Sequence, residues 1–169
     1  MERILIVVDM QKDFVDGSLS TKEAREIVDR VVQKVRAWEG PVIFTRDTHE
    51  PDYLSTQEGR RLPVAHCIEG TEGWQIISPL RPYARDVVDK PGFGSTELAR
   101  RLAARAEEIE EIELIGLCTD ICVVSNALLI KAFLPETPLR VDSACCAGVT
   151  PEKHLAALET LRSCQVEVV

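Results

Sequence analysis

No run of eighteen apolar residues occurs in this chain, so nothing in it reads as a membrane-spanning helix. Positive charge is in deficit. The 28 acidic and 20 basic residues leave a formal net charge of -8, which disfavours nucleic acid and anionic membrane as partners and favours a small molecule. Paired Cys-x-x-Cys spacing is missing, so the six cysteines do not read as a thiolate zinc site. The first strand is followed by "DMQKDF" with no G-x-G-x-x-G, which argues against a dinucleotide-binding dehydrogenase. No small-residue cleavage site follows the short apolar run of "MERILIVVDM". Reduced thiols and a cytosolic location are therefore the expectation, and Cys67, Cys145, Cys146 and Cys164 read as small residues in or near the core.

What is present is the signature of an α/β fold. At 169 residues the chain reads as one domain, 1–169. Short runs rich in Ile, Leu and Val alternate with helical patterns, which predicts a doubly wound parallel sheet. Six strands are expected, at 3–8, 41–45, 85–89, 111–117, 139–141 and 166–169. After the first, Ser20 and Glu23 form a candidate capping box, Ala24, Ile27, Val28, Val31, Val32 and Val35 supply an apolar stripe, and Gly40 a stop. Further helices are predicted at 97–106, 121–133 and 151–162, the last with Thr150 as cap and Pro151 in its first turn. Residues 46–84, rich in Pro, Gly, His and charge, stand out as a long segment of the kind that carries function in a compact domain.

Polar residues collect where the strands end. Asp9 follows the first, Asp47 and His49 the second, Lys90 the third, and Cys122 lies just past the fourth. In an open parallel sheet these ends share one rim, where ligands bind at the reversal of strand order. Singly, each residue has a plain reading as a turn residue, a solvated lysine or a core thiol. Together they form a set suited to chemistry. A helix N-terminus and a neighbouring ammonium both favour a thiolate at Cys122, and an aspartate beside them can move the proton.

Four segments, "VVDMQKDF" at 7–14, "TRDTH" at 45–49 with "HCIEGTEGW" at 66–74, "DKPGFGST" at 89–96 and "GLCTDICVVSNAL" at 116–128, resemble the isochorismatase-like cysteine hydrolases, within them the nicotinamidase branch. The resemblance runs through essentially the whole chain. It implies a three-layer α/β/α sheet of six parallel strands, with Asp9, Lys90 and Cys122 as a catalytic triad. It also implies a cis peptide before Cys118, whose amide would join that of Cys122 in an oxyanion hole. Residues 46–84 then become a metal-binding loop, with Asp47, His49 and His66 as ligands. A further histidine common after "DxH" is absent, and Glu58 is its candidate replacement, with Asp52 and Glu50 behind it. Oxygen and nitrogen donors suit a divalent metal, Zn first, with Fe or Mn as alternatives. Phe14 and Phe93 are the implied pocket aromatics, with Trp74 as a third candidate.

The implied reaction is metal-assisted hydrolysis of nicotinamide to nicotinate and ammonia through a Cys122 thioester. Two rivals stay open: the same triad acting on a ureido acid or another small amide, and a non-catalytic binding or redox protein using Cys118 and Cys122 as a thiol pair. A homo-oligomer is an expectation from analogy alone.

Overall fold

The computed structural model describes all residues 1–169. The aliphatic runs form one sheet of six strands: β1 (Glu2–Val8), β2 (Val42–Asp47), β3 (Asp86–Lys90), β4 (Ile109–Leu117), β5 (Leu139–Ala147) and β6 (Glu167–Val168). Every pairing is parallel, and the order is β3-β2-β1-β4-β5-β6. The direction of winding therefore reverses between β1 and β4, and helices cover both faces. β1 records this in its own side chains. Ile4, Ile6 and Val8 pack into the core under the helices Thr96–Ala103, Val124–Phe133 and Pro151–Ser163, while Leu5 and Val7 pack into the opposite core under Val28–Ala37. All five are completely buried, which explains an unbroken hydrophobic run where a half-exposed strand would alternate.

The six strands, the Thr150-capped last helix and the three-layer arrangement follow the sequence reading; several boundaries do not. Ser20 and Glu23 do not form the capping box. Thr21 is the cap, its Oγ1 accepting from the Ala24 amide at 3.0 Å, while the Ser20 amide is spent on the Gly17 carbonyl. Ala24, Ile27, Val31 and Val35 of the predicted stripe are buried while Val28 and Val32 are only partly so, and the predicted single helix divides at Ile27 into Lys22–Glu26 and Val28–Ala37. β2 and β3 run further than expected, so Asp47 and Lys90 are the last residues of strands and are held in register against each other. β5 is also longer and contains an irregularity opposite β4.

Helix Val28–Ala37 is tied to the sheet by charge as well as by packing. Lys34 reaches over the edge of its core to pair with Glu113 on β4 and Asp142 on β5. The Glu113 side chain is only 3% exposed, and its other cation, Arg3, stands 3.9 Å away. Removing one partner of a buried pair leaves a charge without compensation. Lys34→Met is expected to cost about 3 kcal/mol in a urea titration, and Lys34→Met combined with Glu113→Leu to regain most of that loss.

Candidate active site

The carboxyl ends of β1, β2, β3 and β4 meet around a buried lysine. Asp9, one residue beyond β1, has φ 46° and is fully buried. Thr45 of β2 fixes it twice, its carbonyl accepting from the Asp9 amide at 3.2 Å and its hydroxyl donating to Asp9 Oδ1 at 2.6 Å. Oδ2 takes no hydrogen bond of good geometry and faces the Lys90 ammonium at 2.7 Å. Lys90, also fully buried, donates to the Gly92 carbonyl at 3.0 Å and lies 3.3 Å from Cys122 Sγ and 3.5 Å from Asp47 Oδ1.

Cys122 comes to this point by an unusual backbone route. Gly116, paired with Val8, has φ 115°, and a Cβ there would stand 2.1 Å from the Val8 carbonyl oxygen; only glycine lets β4 pass so close to β1. The Leu117–Cys118 peptide is cis, as the resemblance implies. The predicted helix start at 121 is instead a π-helical turn, Thr119–Val123, in which the amides of Ile121 and Val123 both donate to the Cys118 carbonyl. Such wide turns recur at functional sites. The regular helix begins only at Val124.

The electrostatics differ from the simple expectation of a ready thiolate. Burial pushes the Cys122 thiol well above its ordinary range, Asp9 adds to the rise, and Lys90 opposes it. Burial likewise raises the Asp9 carboxyl against the pull of Lys90. Lys90 keeps its proton because the anionic groups around it, Asp9 first, outweigh the cost of burial. The resting arrangement is thus a thiol beside a charged ammonium, with Asp9 a carboxyl of raised basicity. A carboxyl raised in this way is a stronger base than a solvated one. The neighbouring Cys118 thiol is pushed up to about 12 by burial and by Asp120.

Beside this cluster, Asp47, His49, Glu58 and His66 place one ligand atom each within 4.8 Å of one another. Asp47 Oδ2 stands 3.0 Å from His49 Nε2 and 3.5 Å from His66 Nε2; Glu58 Oε1 stands 3.7 and 3.9 Å from the same two nitrogens. His66 Nδ1 donates to the Val64 carbonyl at 2.8 Å, so Nε2 is the nitrogen turned toward Asp47 and Glu58, where a metal ion would take the place of its proton. Burial raises the cost of charge on Asp47, yet hydrogen bonds from His49 and His66 hold its carboxyl well below the usual range. Tyr53, almost completely buried, packs its ring 4.7 Å from that of His49 and 4.9 Å from that of His66, and its hydroxyl donates to the Leu62 carbonyl. Glu58 is delivered by the helix Gln57–Arg61, capped by Thr56. Two oxygens and two nitrogens converging at this spacing form a site fit for a divalent metal.

Both groups open onto one cavity of about 770 Å³. Cys118, Cys122 and the four clustered side chains line it, while Asp9 and Lys90 stand behind the thiol. Phe14 and Phe93 are in its wall, Phe93 half-exposed at the mouth. Trp74 is not in that wall. Its ring lies under the Arg46 guanidinium at 3.6 Å, and its indole N–H donates to Thr48 Oγ1, so it clamps the outside of β2. Sequence reasoning also passed over Gln11, Thr45 and Asn126, all buried polar residues. Gln11 accepts from the Asp47 amide and donates to the Asp47 carbonyl, both at 2.8 Å, fixing the backbone of that candidate ligand. Its place two residues after Asp9 was the available signal.

Residues 3–169 match the isochorismatase domain. The chain belongs to the isochorismatase family. Among solved structures, this isochorismatase-family chain is 30% identical to the nicotinamidase/pyrazinamidase of Bacillus subtilis, with a TM-score of 0.86 and 100% of each chain covered. It is 27% identical to the pyrazinamidase of Pyrococcus horikoshii in complex with zinc, with a TM-score of 0.85, covering 100% of this chain and 99% of that one. With the N-carbamoylsarcosine amidase of Thermoplasma acidophilum it shares 31% identity at a TM-score of 0.78, covering 99% and 95%. No helix of this family member is long and apolar enough to cross a membrane.

Because Trp74 braces β2 from outside, Trp74→Ala should lower the melting temperature while leaving inhibition by aromatic amides unchanged. Melting curves and inhibitor titrations on the same preparation check this; a weakened inhibitor constant would put the ring back in the pocket.

Proposed function

We propose that this protein is a metal-dependent cysteine amidohydrolase that converts nicotinamide to nicotinate and ammonia. The observation that carries the reading is the contact of one buried ammonium with both Asp9 and Cys122, 2.7 and 3.3 Å away, beside a cluster of two histidines and two carboxylates in the same cavity. The solved relatives named for nicotinamidase and pyrazinamidase activity support the substrate, and the zinc complex among them supports zinc as the ion.

The reaction begins with transfer of the Cys122 proton to Asp9 Oδ2. Lys90 touches both ends of that transfer, so negative charge moves from oxygen to sulfur without leaving the ammonium's field. Sulfur then bonds to the amide carbon. The amides of Cys118 and Cys122 receive the oxyanion, a contribution on the order of 3 kcal/mol per donor. Asp9 returns its proton to the departing nitrogen, the C–N bond breaks, and ammonia leaves. Water next attacks the thioester as Asp9 takes one of its protons; the C–S bond breaks, that proton passes to sulfur, and the acid leaves as nicotinate, its remaining proton going to solvent. Asp47, His49, Glu58 and His66 would hold the metal, which when bound supplies a Lewis-acidic anchor for the ring nitrogen. Phe14 and Phe93 are proposed to flank the ring.

A second reading, a ureido acid as substrate, is favoured by one observation: Arg61 and Lys153 also line the cavity and could meet a substrate carboxylate. Ammonia release measured across nicotinamide and N-carbamoyl amino acids separates the two.

Cys122→Ala should abolish ammonia release from nicotinamide while retaining bound metal, and chelation should abolish it while leaving Cys122 in place. Retained turnover in the variant would refute the nucleophile. Thr45→Val removes the donor to Asp9 Oδ1 and raises that carboxyl further. Since Asp9 must be ionised to accept the thiol proton, the acid limb of the kcat/KM profile should move to higher pH, and an unmoved limb would refute Asp9 as the base.

A further inference from the structure

Asn126 is fully buried two residues into the helix that follows the π turn, and three hydrogen bonds use its amide group. Its Nδ2 donates to the Cys122 carbonyl at 2.8 Å and to the Phe93 carbonyl at 3.1 Å. Its Oδ1 accepts from the Ser95 amide at 2.9 Å. One end of this side chain therefore grips the residue that carries the thiol, and both ends grip the segment that follows Lys90. That segment holds two parts of the site: the Gly92 carbonyl, which accepts from the Lys90 ammonium, and the Phe93 ring at the cavity mouth. Ser95 in turn caps the next helix through Leu98, so the segment is anchored at its far end as well.

We propose that Asn126 is a positioning residue for the reacting cluster, fixing the Lys90 ammonium and the Phe93 wall relative to Cys122. The inference rests on the hydrolase reading of Cys122 and adds to it a residue that touches neither substrate nor metal. Lys90 has no direct backbone tie to the helix of Cys122, and Asn126 supplies the link through Gly92–Ser95. An apolar residue of similar size would fill the volume without joining the two carbonyls and the amide. A carboxylate would still accept from Ser95 but would set oxygen against the carbonyls of Phe93 and Cys122. Either change frees the segment from the thiol, and misplacement of catalytic groups by about 1 Å can cost on the order of 10²-fold in rate.

The test uses metal-replete Asn126→Leu and Asn126→Asp, with melting curves, metal content, kcat and KM on nicotinamide, and the rate of Cys122 alkylation by iodoacetamide. Both variants should melt cooperatively with full metal, lose about 10²-fold in kcat, and alkylate about tenfold more slowly, the loss of thiolate that one unit of thiol pKa brings. A residue of purely structural importance would lower the melting temperature and leave kcat and alkylation of the folded protein unmoved; that result overturns the proposal. Failure of both variants to fold also overturns it, since the role would then be stability alone. If the unmodified protein releases no ammonia from nicotinamide, the substrate reading fails, and the alkylation arm by itself still decides the role of Asn126.

Discussion

A lysine ammonium sealed from solvent at the end of β3 is the constraint around which the rest of the rim is arranged. Nothing in an apolar interior tolerates such a charge without compensation. Here Asp9, Asp47, the Gly92 carbonyl and the Cys122 sulfur surround it. Each comes from a different part of the chain, so the ammonium's demand for partners and the placement of the reacting groups are the same requirement. The resting thiol follows from it too. Two carboxyl groups, Asp9 and Asp47, already face the one ammonium, so an anion on sulfur would add repulsion that Lys90 does not offset.

Asp47 links that cluster to its neighbour. Oδ1 faces the ammonium while Oδ2 faces the two histidines, so a single carboxylate belongs to both sites. Its backbone is pinned by Gln11, two residues beyond Asp9, which fixes the spacing between the two sites. The Tyr53 ring packs against both imidazoles and its hydroxyl anchors Leu62, at the end of the helix that brings Glu58 inward. The long segment after β2 is thus ordered by the same aromatic and polar contacts that make it a candidate ligand shell.

Much of this was legible in the order of residues. The Asp, Lys and Cys at strand ends and the Asp-x-His pair were visible because a parallel sheet sends its strand ends to one rim. Glu58 could be reached by asking what replaces a missing histidine. Trp74 misled because an aromatic near a histidine says nothing about direction; its ring found Arg46 instead. The helix cap falls on Thr21 rather than Ser20, because the Thr21 hydroxyl meets the Ala24 amide while the Ser20 amide is taken up by the Gly17 carbonyl. Asn126 gave no signal of its own, since an asparagine in a helical run reads as a residue facing water until the tertiary fold buries it.

By itself the sequence determined the periodicities, hence the six parallel strands, the helices over both faces and the set of polar groups delivered to the rim. It carries a glycine at 116, and the folded sheet is what requires one there, where the backbone of β4 passes close over Val8. The tertiary structure decided which of those groups touch. The 2.7 and 3.3 Å from the Lys90 ammonium to Asp9 and to Cys122 depend on strand order and on a π turn tied to the last helix and its approach through Thr119 and Asp120. The acid–base state of the thiol depends on burial, a property of the assembled interior that no local spacing encodes.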